Sequence, residues 1–180
     1  LADFLGGFRG LLGQFLDFVG DHRESLAGFP GAGSFDGGVE SQQVGLLRDR
    51  CDEPVYQNLL LEIQDRLFTM GSLLAADPGK SKMKLPELHE DDVLLLENTI
   101  DKMNETLPEM RFFVLPGGNE TVSFCHIARC VCRRAERSIT YLSESEPVDG
   151  LIIRYINRLS DYLFVYGRKI SMDLNIHEAP

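Results

Sequence analysis

The sequence predicts an all-α protein built as an up-and-down bundle of four or five helices. Apolar residues recur at alternating three- and four-residue steps through several long segments, as on the buried face of a helix. Segments rich in proline and glycine separate these stretches, and no run shows the strict alternation of a half-buried strand. Long helices joined by short loops pack as antiparallel neighbours, which favours a bundle.

The first half of the predicted bundle holds a short helical piece over about residues 44–51 and two longer helices. The second helix begins at Pro54, because proline suits a first turn, and ends at Asp77-Pro78-Gly79. The third begins near Glu90, where acidic residues favour a helix N-terminus, and extends to residue 107. The apolar seams are Leu60, Ile63, Leu67, Met70 and Leu74, then Val93, Leu96, Ile100, Met103 and Leu107.

The second half holds two long helices after a short irregular run. Residues 112–118 cannot continue a helix, because they contain Pro116 followed by two glycines. The pattern then predicts helices over about 121–143 and 148–171. The last of these should bury Ile152, Ile156, Leu159, Leu163 and Tyr166.

Residues 1–43 differ in composition from the rest of the chain. They hold ten of the 17 glycines and six of the 11 phenylalanines, but no Lys, Ile, Thr, Tyr, Asn or Met. Residues 28–38 are predicted to be loop. An amphipathic docking helix over residues 1–19 is a lesser interpretation, and its single cation, Arg9, argues against anionic lipid. We therefore expect an atypical segment at 1–43, a helical domain at 44–171 and a tail at 172–180.

Composition and charge exclude several classes of function. The chain has 180 residues, 43% hydrophobic and 26% charged, which is typical of one globular domain. Its formal charge of −10 disfavours nucleic acid and anionic membrane as partners, so an anionic substrate would need a local group of cations. We expect no membrane span and no secretory signal. Four cysteines without a spaced disulfide framework favour a reducing compartment, the cytoplasm.

The strongest candidate for chemistry is a row of arginines on the helix predicted over 121–143. Arg129, Arg133 and Arg137 are spaced four residues apart, so their side chains share one helix face. Arginine binds phosphate oxygens through a planar fork, which favours a phosphate site. By spacing alone, a solvated face or salt bridges to Glu136 and Asp161 are the commoner explanation.

Two other features allow more than one interpretation. The loop over residues 113–118 could simply cap the bundle, or its glycines could let a ligand approach the backbone. His126 lies among three cysteines, but Cys130 and Cys132 are about 200° apart around a helix and cannot easily share one ion. We therefore expect buried thiols and assign no metal site. His89 and His177 receive no role.

Four sequence blocks, in order, resemble the PduO-type ATP:cob(I)alamin adenosyltransferases, and the resemblance extends over about residues 44–171. The helix predicted to begin at Pro54 resembles the family's second helix as well. The four blocks are Phe113-Val-Leu-Pro-Gly-Gly118, His126-Ile-Ala-Arg129, Cys132-Arg-Arg-Ala-Glu-Arg137 and Tyr155-Ile-Asn-Arg-Leu-Ser-Asp-Tyr-Leu-Phe164.

The resemblance implies a ferritin-like five-helix bundle that forms a homotrimer, with ATP and the corrinoid bound at subunit interfaces. It implies transfer of the 5′-deoxyadenosyl group of ATP to cob(I)alamin, which yields adenosylcobalamin and tripolyphosphate. ATP, Mg²⁺ and cobalamin are then the small-molecule partners. A reductase and an adenosylcobalamin-dependent enzyme are the expected protein partners.

The resemblance also assigns roles to individual residues. Phe113 matches the aromatic residue that fills the space below the corrin and keeps the lower axial ligand away from cobalt. Arg133 matches an arginine that contacts the phosphates, and Arg129 one that pairs with an aspartate across the subunit interface. Asn157 lies on the nucleotide side. The implied ATP-binding residues are Arg129, Arg133, Asn157 and Arg137, supported by Arg134, Glu136 and Asp161.

The beginning of the chain departs from the family pattern. A threonine-rich phosphate loop is expected before the first helix, but residues 38–49 do not match it. The aspartate expected to meet Arg129 has no clear match, although Glu40 lies nearby. Residues 1–43 also resemble an out-of-frame translation that returns to frame near Val44. A non-catalytic bundle that binds or delivers corrinoid, having lost its phosphate loop, is therefore the alternative function.

Overall fold

The computed structural model describes residues 37–75 and 85–176, and within these ranges the chain forms helices and no strand. This confirms the predicted all-α fold. Among the described helices, none is both long enough and apolar enough to cross a membrane. The helices are α1 (Gly37–Asp49), α2 (Pro54–Ala75), α3 (Glu90–Asn104), α4 (Glu120–Leu142) and α5 (Gly150–Asp173).

Three of the five helices match the sequence prediction within two residues at both ends, and the other two each differ at one end. α1 begins at Gly37, although residues 28–38 were predicted to be loop and the helical piece to start near 44. Ser41, Val44 and Leu47 are buried, so packing overrides the low helix propensity of glycine. α3 ends at Asn104 rather than at 107, because the residue before Pro108 is disfavoured in helical conformation.

The expectations for residues 1–36 and for the end of the tail lie outside the described residues. These include the docking helix proposed for residues 1–19 and the first part of the loop predicted over 28–38.

The helices share one apolar core. α4 packs against α1 and α5, α2 packs against α1, and α3 packs against α5. The predicted seams face this core, although Leu74, Ile100 and Leu107 are only partly buried. The largest fully buried side chains include Leu47, Leu60, Leu67, Met70, Ile139, Ile156 and Tyr162.

Side-chain caps set where the two site-bearing helices begin. The Asn119 side chain accepts a hydrogen bond from the Thr121 backbone at 2.7 Å, at the start of α4. The Asp149 carboxylate accepts one from the Leu151 backbone at 2.9 Å, at the start of α5. Each cap satisfies a backbone N–H that has no partner within the helix. The caps therefore help to fix the start of each helix beside its neighbour.

The loop between α3 and α4 packs against the end of α5. Gly118 has a φ of +88°, and a Cβ added there would lie 2.6 Å from Cγ2 of Ile176. Only glycine has both the conformational freedom and the small size that this contact requires. Asn175 also adopts a positive φ, 53°, where α5 ends. The two turns together fix how the loop leaves the bundle.

The fold predicts a large difference between two adjacent leucines of α2. Leu60 is 0% exposed and Leu61 is 53% exposed. We expect Leu60→Ala to lower the free energy of unfolding by about 2–5 kcal/mol, because it leaves a cavity in the core. Leu61→Ala should cost about 0.5 kcal/mol or less. Urea unfolding of both variants tests this, and equal losses would contradict the orientation of α2.

Candidate functional site

The three arginines of α4 form a stripe that turns gradually away from the core. Four helical residues span about 400°, so each step along the stripe rotates the side chain by about 40°. Arg129 borders the core and is partly buried, whereas Arg133 and Arg137 are exposed. The stripe therefore runs from the packed interior of the α4–α5 pair out to solvent.

Arg129 is held against α5 by an aromatic ring. Its guanidinium carbon lies 5.1 Å from the centroid of the Phe164 ring, a cation–π contact. The Phe164 ring also meets the buried His126 edge-on, with ring centroids 6.3 Å apart. Nε of Arg129 is buried and makes no hydrogen bond. The guanidinium of Arg129 therefore lies in a partly apolar setting, where electrostatic interactions are stronger than in water.

The salt bridges that would make the stripe purely structural do not form. Glu136 accepts a hydrogen bond from Nδ2 of Asn157 at 2.8 Å. Asp161 pairs instead with Arg158 at 2.6 Å, within α5. Within residues 37–75 and 85–176, the guanidiniums of Arg133, Arg134 and Arg137 have no hydrogen-bond or ion-pair partner. The two acids expected to neutralise the stripe are thus engaged elsewhere.

One face of α5 supports the stripe. Asn157, Asp161 and Phe164 follow each other at four and three residues, so they share this face. Asn157 contacts α4 through Glu136, and Phe164 contacts it through Arg129. The structure therefore brings Asn157 to the arginine-bearing helix. It places Asp161 on the same face but pairs its carboxylate with Arg158.

Phe113 lies in the loop before α4 and does not cap the bundle. Its side chain is 94% exposed, so the interpretation of this loop as a simple cap is wrong for Phe113. The preceding residue, Phe112, is 47% exposed and lines a cavity of about 360 Å³. Residues 112–113 thus present two aromatic rings at the end of the bundle where α5 finishes.

The cysteines of α4 differ in exposure. Burial raises the pKa of the Cys125 thiol to about 12. Burial also raises the pKa of the Cys132 thiol, and the negative charges of Glu136 and Glu40 add to this shift. Cys130 is exposed, which corrects the expectation of buried thiols, because it lies on the opposite side of α4 from Cys132. In the described ranges, no group of three or more His, Cys, Asp or Glu residues is arranged for a metal ion.

Two features of this region were missed or incompletely predicted. Glu40 is 4% exposed and lies on α1, which packs against α4, and its negative charge raises the pKa of Cys132. The prediction began α1 at 44 and so left Glu40 outside the helix. Arg168 was not singled out, yet it follows Phe164 by four residues on the same face of α5. Extending the helical periodicity by one turn would have found it.

Comparison with known proteins identifies the family. The model for cobalamin adenosyltransferases matches residues 39–170. The chain belongs to the cobalamin adenosyltransferase family. The match includes α1 from its third residue, and it contains the whole arginine stripe together with the supporting face of α5 up to Phe164.

Named relatives of this adenosyltransferase family come from bacteria and mammals. A corrinoid adenosyltransferase of Bacillus subtilis (strain 168) is 39% identical over 132 residues, covering 71% of the chain and 67% of the relative. A corrinoid adenosyltransferase of Mus musculus is 39% identical over 116 residues, covering 63% of the chain and 49% of the relative. The chain thus spans about two thirds of the bacterial relative and about half of the mouse one.

Solved structures of PduO-type ATP:corrinoid adenosyltransferase from Lactobacillus reuteri are similar to the chain in fold. A phenylalanine-to-alanine variant, complexed with cobalamin and ATP, superposes with a TM-score of 0.76 at 29% identity and covers 83% of the chain and 84% of its own length. An arginine-to-lysine variant, complexed with ATP, gives a TM-score of 0.75 at 30% identity and covers 83% and 86%.

The exposure of the cysteines in this family member predicts selective alkylation. Cys130 should react readily with iodoacetamide at pH 8, because its thiol is exposed. Cys125 and Cys132 should react only after unfolding, because burial keeps both thiols protonated. Peptide mass spectrometry of native and urea-unfolded protein measures both rates. Rapid native labelling of Cys132 would contradict the described orientation of α4.

Proposed function

We propose that this chain is a corrinoid adenosyltransferase. It transfers the 5′-deoxyadenosyl group of ATP to cob(I)alamin and yields adenosylcobalamin and tripolyphosphate. The observation that carries the proposal is the arginine stripe of α4, whose exposed members have no ion-pair partner among the described residues. Family membership and the relatives named above favour this transferase over a non-catalytic corrinoid carrier.

The stripe suits the leaving group of this reaction. Cobalt(I) donates an electron pair to C5′ of ATP, the cobalt–carbon bond forms, and the bond from C5′ to the phosphate oxygen breaks. The oxygen takes that bonding pair, so negative charge develops on the departing tripolyphosphate. Arg133 and Arg137 stabilise this charge, because fixed cations aimed at developing charge lower the barrier without reorganisation. Arg129, stacked on Phe164, shapes the inner end of the site.

Neighbouring polar residues hold the stripe in place. Asn157 lies on the nucleotide side, and its hydrogen bond to Glu136 keeps that carboxylate away from the arginines. Arg134 adds positive charge on the adjacent face of α4. Asp161 binds Arg158, which also contacts Glu97 on α3 at 3.0 Å. These residues support the site by fixing its geometry.

Phe113 acts on the corrin rather than on the nucleotide. Its exposed ring is available to occupy the space below a bound corrin and displace the lower axial ligand from cobalt. Loss of that ligand makes reduction of cobalt(II) to the nucleophilic cobalt(I) easier. Phe113 therefore favours formation of the reactive species, whereas Arg133 favours the transfer itself.

The same reaction indicates the metal ion, the assembly, the location and the protein partners of the enzyme. ATP arrives with Mg²⁺ held by its phosphate oxygens. The enzyme is a homotrimer with its sites between subunits, and it works in the cytoplasm, consistent with four free cysteines. A reductase supplies the electron, and an adenosylcobalamin-dependent enzyme uses the product. The catalytic domain is the helical unit predicted over residues 44–171, flanked by residues 1–43 and 172–180.

The direct test is adenosylation with ATP and chemically reduced cob(I)alamin. We expect the absorption spectrum of adenosylcobalamin to appear, with one tripolyphosphate released per cobalamin consumed. A carrier would bind cobalamin without producing either compound, and that outcome would favour the alternative function.

Replacing Arg133 should impair turnover while leaving the fold intact. We expect Arg133→Ala to lower kcat by about 10²–10³-fold, because it removes one donor from the developing charge. Its melting temperature should match the wild type, since Arg133 is exposed and has no partner among the described residues. Arg154→Ala is the matched control, because Arg154 is an exposed arginine of α5 that pairs with Glu90 at 2.8 Å. Equal activity of the two variants would contradict the role of Arg133.

Replacing Phe113 should slow adenosylation from cob(II)alamin more than adenosylation from cob(I)alamin. We expect Phe113→Ala to reduce adenosylation from cob(II)alamin with a reductant by at least about tenfold more than adenosylation from cob(I)alamin, a difference of about 1.4 kcal/mol. The physical reason is that only the first route requires loss of the lower ligand. Parallel rate measurements with both substrates test this, and equal losses would exclude ligand displacement by Phe113.

A further inference from the structure

The face of α5 that supports the arginine stripe continues to the aromatic loop. Asn157, Phe164 and Arg168 share this face, at intervals of seven and four residues. Arg168 is only 7% exposed. Its Nη2 donates a hydrogen bond to the carbonyl oxygen of Pro108 at 2.9 Å, across 60 residues of sequence. One side of α5 therefore contacts α4 first and then the loop that carries Phe112 and Phe113.

Part of the loop between α3 and α4 lines a cavity. The cavity has a volume of about 360 Å³ and lies between the loop and the last turn of α5. Contacts on its rim include the hydrogen bond from Arg168 to Pro108 and the close approach of Gly118 to Ile176. A segment above a cavity lacks the dense packing that would otherwise hold it. The lining residues are Leu107, Pro108, Phe112, Arg168, Met172, Asn175 and Ile176.

We propose that Arg168 is a positioning residue that holds the loop so that Phe113 meets the corrin. This inference rests on the proposed function. Hydrogen bonds from a guanidinium are stronger than those between neutral groups, which suits a contact that anchors a loop. Arg168 touches neither the nucleotide nor cobalt, and it acts through Phe113.

Loss of this hydrogen bond should free the loop without unfolding the bundle. Pro108 is exposed, so its carbonyl oxygen can accept a hydrogen bond from water when Arg168 is replaced. The large apolar side chains that hold the helices together lie deeper in the bundle, among them Leu60, Met70 and Ile156. The expected defect is therefore in the placement of the aromatic rings.

A double-mutant cycle tests whether Arg168 acts through Phe113. Arg168→Met, Phe113→Ala and the double variant are compared with the wild type, with cob(II)alamin and ATP bound. Electron paramagnetic resonance measures the fraction of cob(II)alamin without its lower ligand. We expect each single variant to lower this fraction several-fold, and the double variant to be no worse than Phe113→Ala alone, since coupled residues give non-additive effects.

Adenosylation rates and folding of further variants distinguish a positioning role of Arg168 from a general loss of structure. Arg168→Met should slow adenosylation from cob(II)alamin more than from cob(I)alamin, and Arg168→Lys should recover part of the loss because it keeps a charged donor. Arg154→Met should match the wild type in both rates. If Arg168→Met fails to fold, Arg168→Lys and Gly118→Ala decide the question. Gly118→Ala disturbs the second contact on the rim, and it should give the same split between the two substrates.

Several results would overturn the inference. Additive losses in the double variant, equal losses with both cobalt states, or a wild-type fraction of ligand-free cob(II)alamin in Arg168→Met would each exclude a positioning role. Failure of the proposed function is a different result, because the wild type itself would then produce no adenosylcobalamin from ATP and cob(I)alamin.

Discussion

Repulsion between like charges on one face of α4 is the constraint on which the site depends. Arg129, Arg133 and Arg137 share a stripe, and the structure neutralises none of them with a described carboxylate. Instead, α5 stabilises the inner end of the stripe by placing the Phe164 ring under Arg129. Asn157 of α5 also donates a hydrogen bond to the carboxylate of Glu136. The packing of α4 on α5 therefore creates a positive stripe within a chain of net charge −10.

The free energies of ion pairs explain how such an arginine stripe can exist in a stable fold. An exposed ion pair contributes only about 0–1 kcal/mol, so leaving Arg133 and Arg137 without partners costs the fold little. A fixed cation aimed at developing charge can contribute about 3–4 kcal/mol to a transition state. Under the proposed function, the loss of stability is therefore smaller than the expected gain in transition-state stabilisation. The acidic surface as a whole disfavours polyanions, and this local group of cations acts against that field.

The sequence could predict the features that depend on local periodicity. The buried seams of α2 and α5, the first residue of α2 and the shared face of the three arginines all follow from spacing and from proline. It could not predict that α1 begins at Gly37, because Ser41, Val44 and Leu47 are buried against other helices. Nor could it predict the partners of Glu136 and Asp161, which depend on how α4 and α5 rotate against each other. The exposure of Phe113 likewise depends on how its loop leaves the bundle. The spacing of residues indicates no reaction. The expected reaction and the roles of Arg133 and Phe113 came from the resemblance to a known family.

Binding of tripolyphosphate alone tests the role of the stripe most directly. Calorimetric titration at several salt concentrations would compare the wild type with Arg133→Ala, Arg137→Ala and the control Arg154→Ala. The stripe predicts that wild-type affinity falls as salt rises, that each stripe variant binds about tenfold more weakly, a loss of about 1.4 kcal/mol, and that the control binds like the wild type. Equal affinity of all four proteins would contradict the claim that these arginines bind the leaving group.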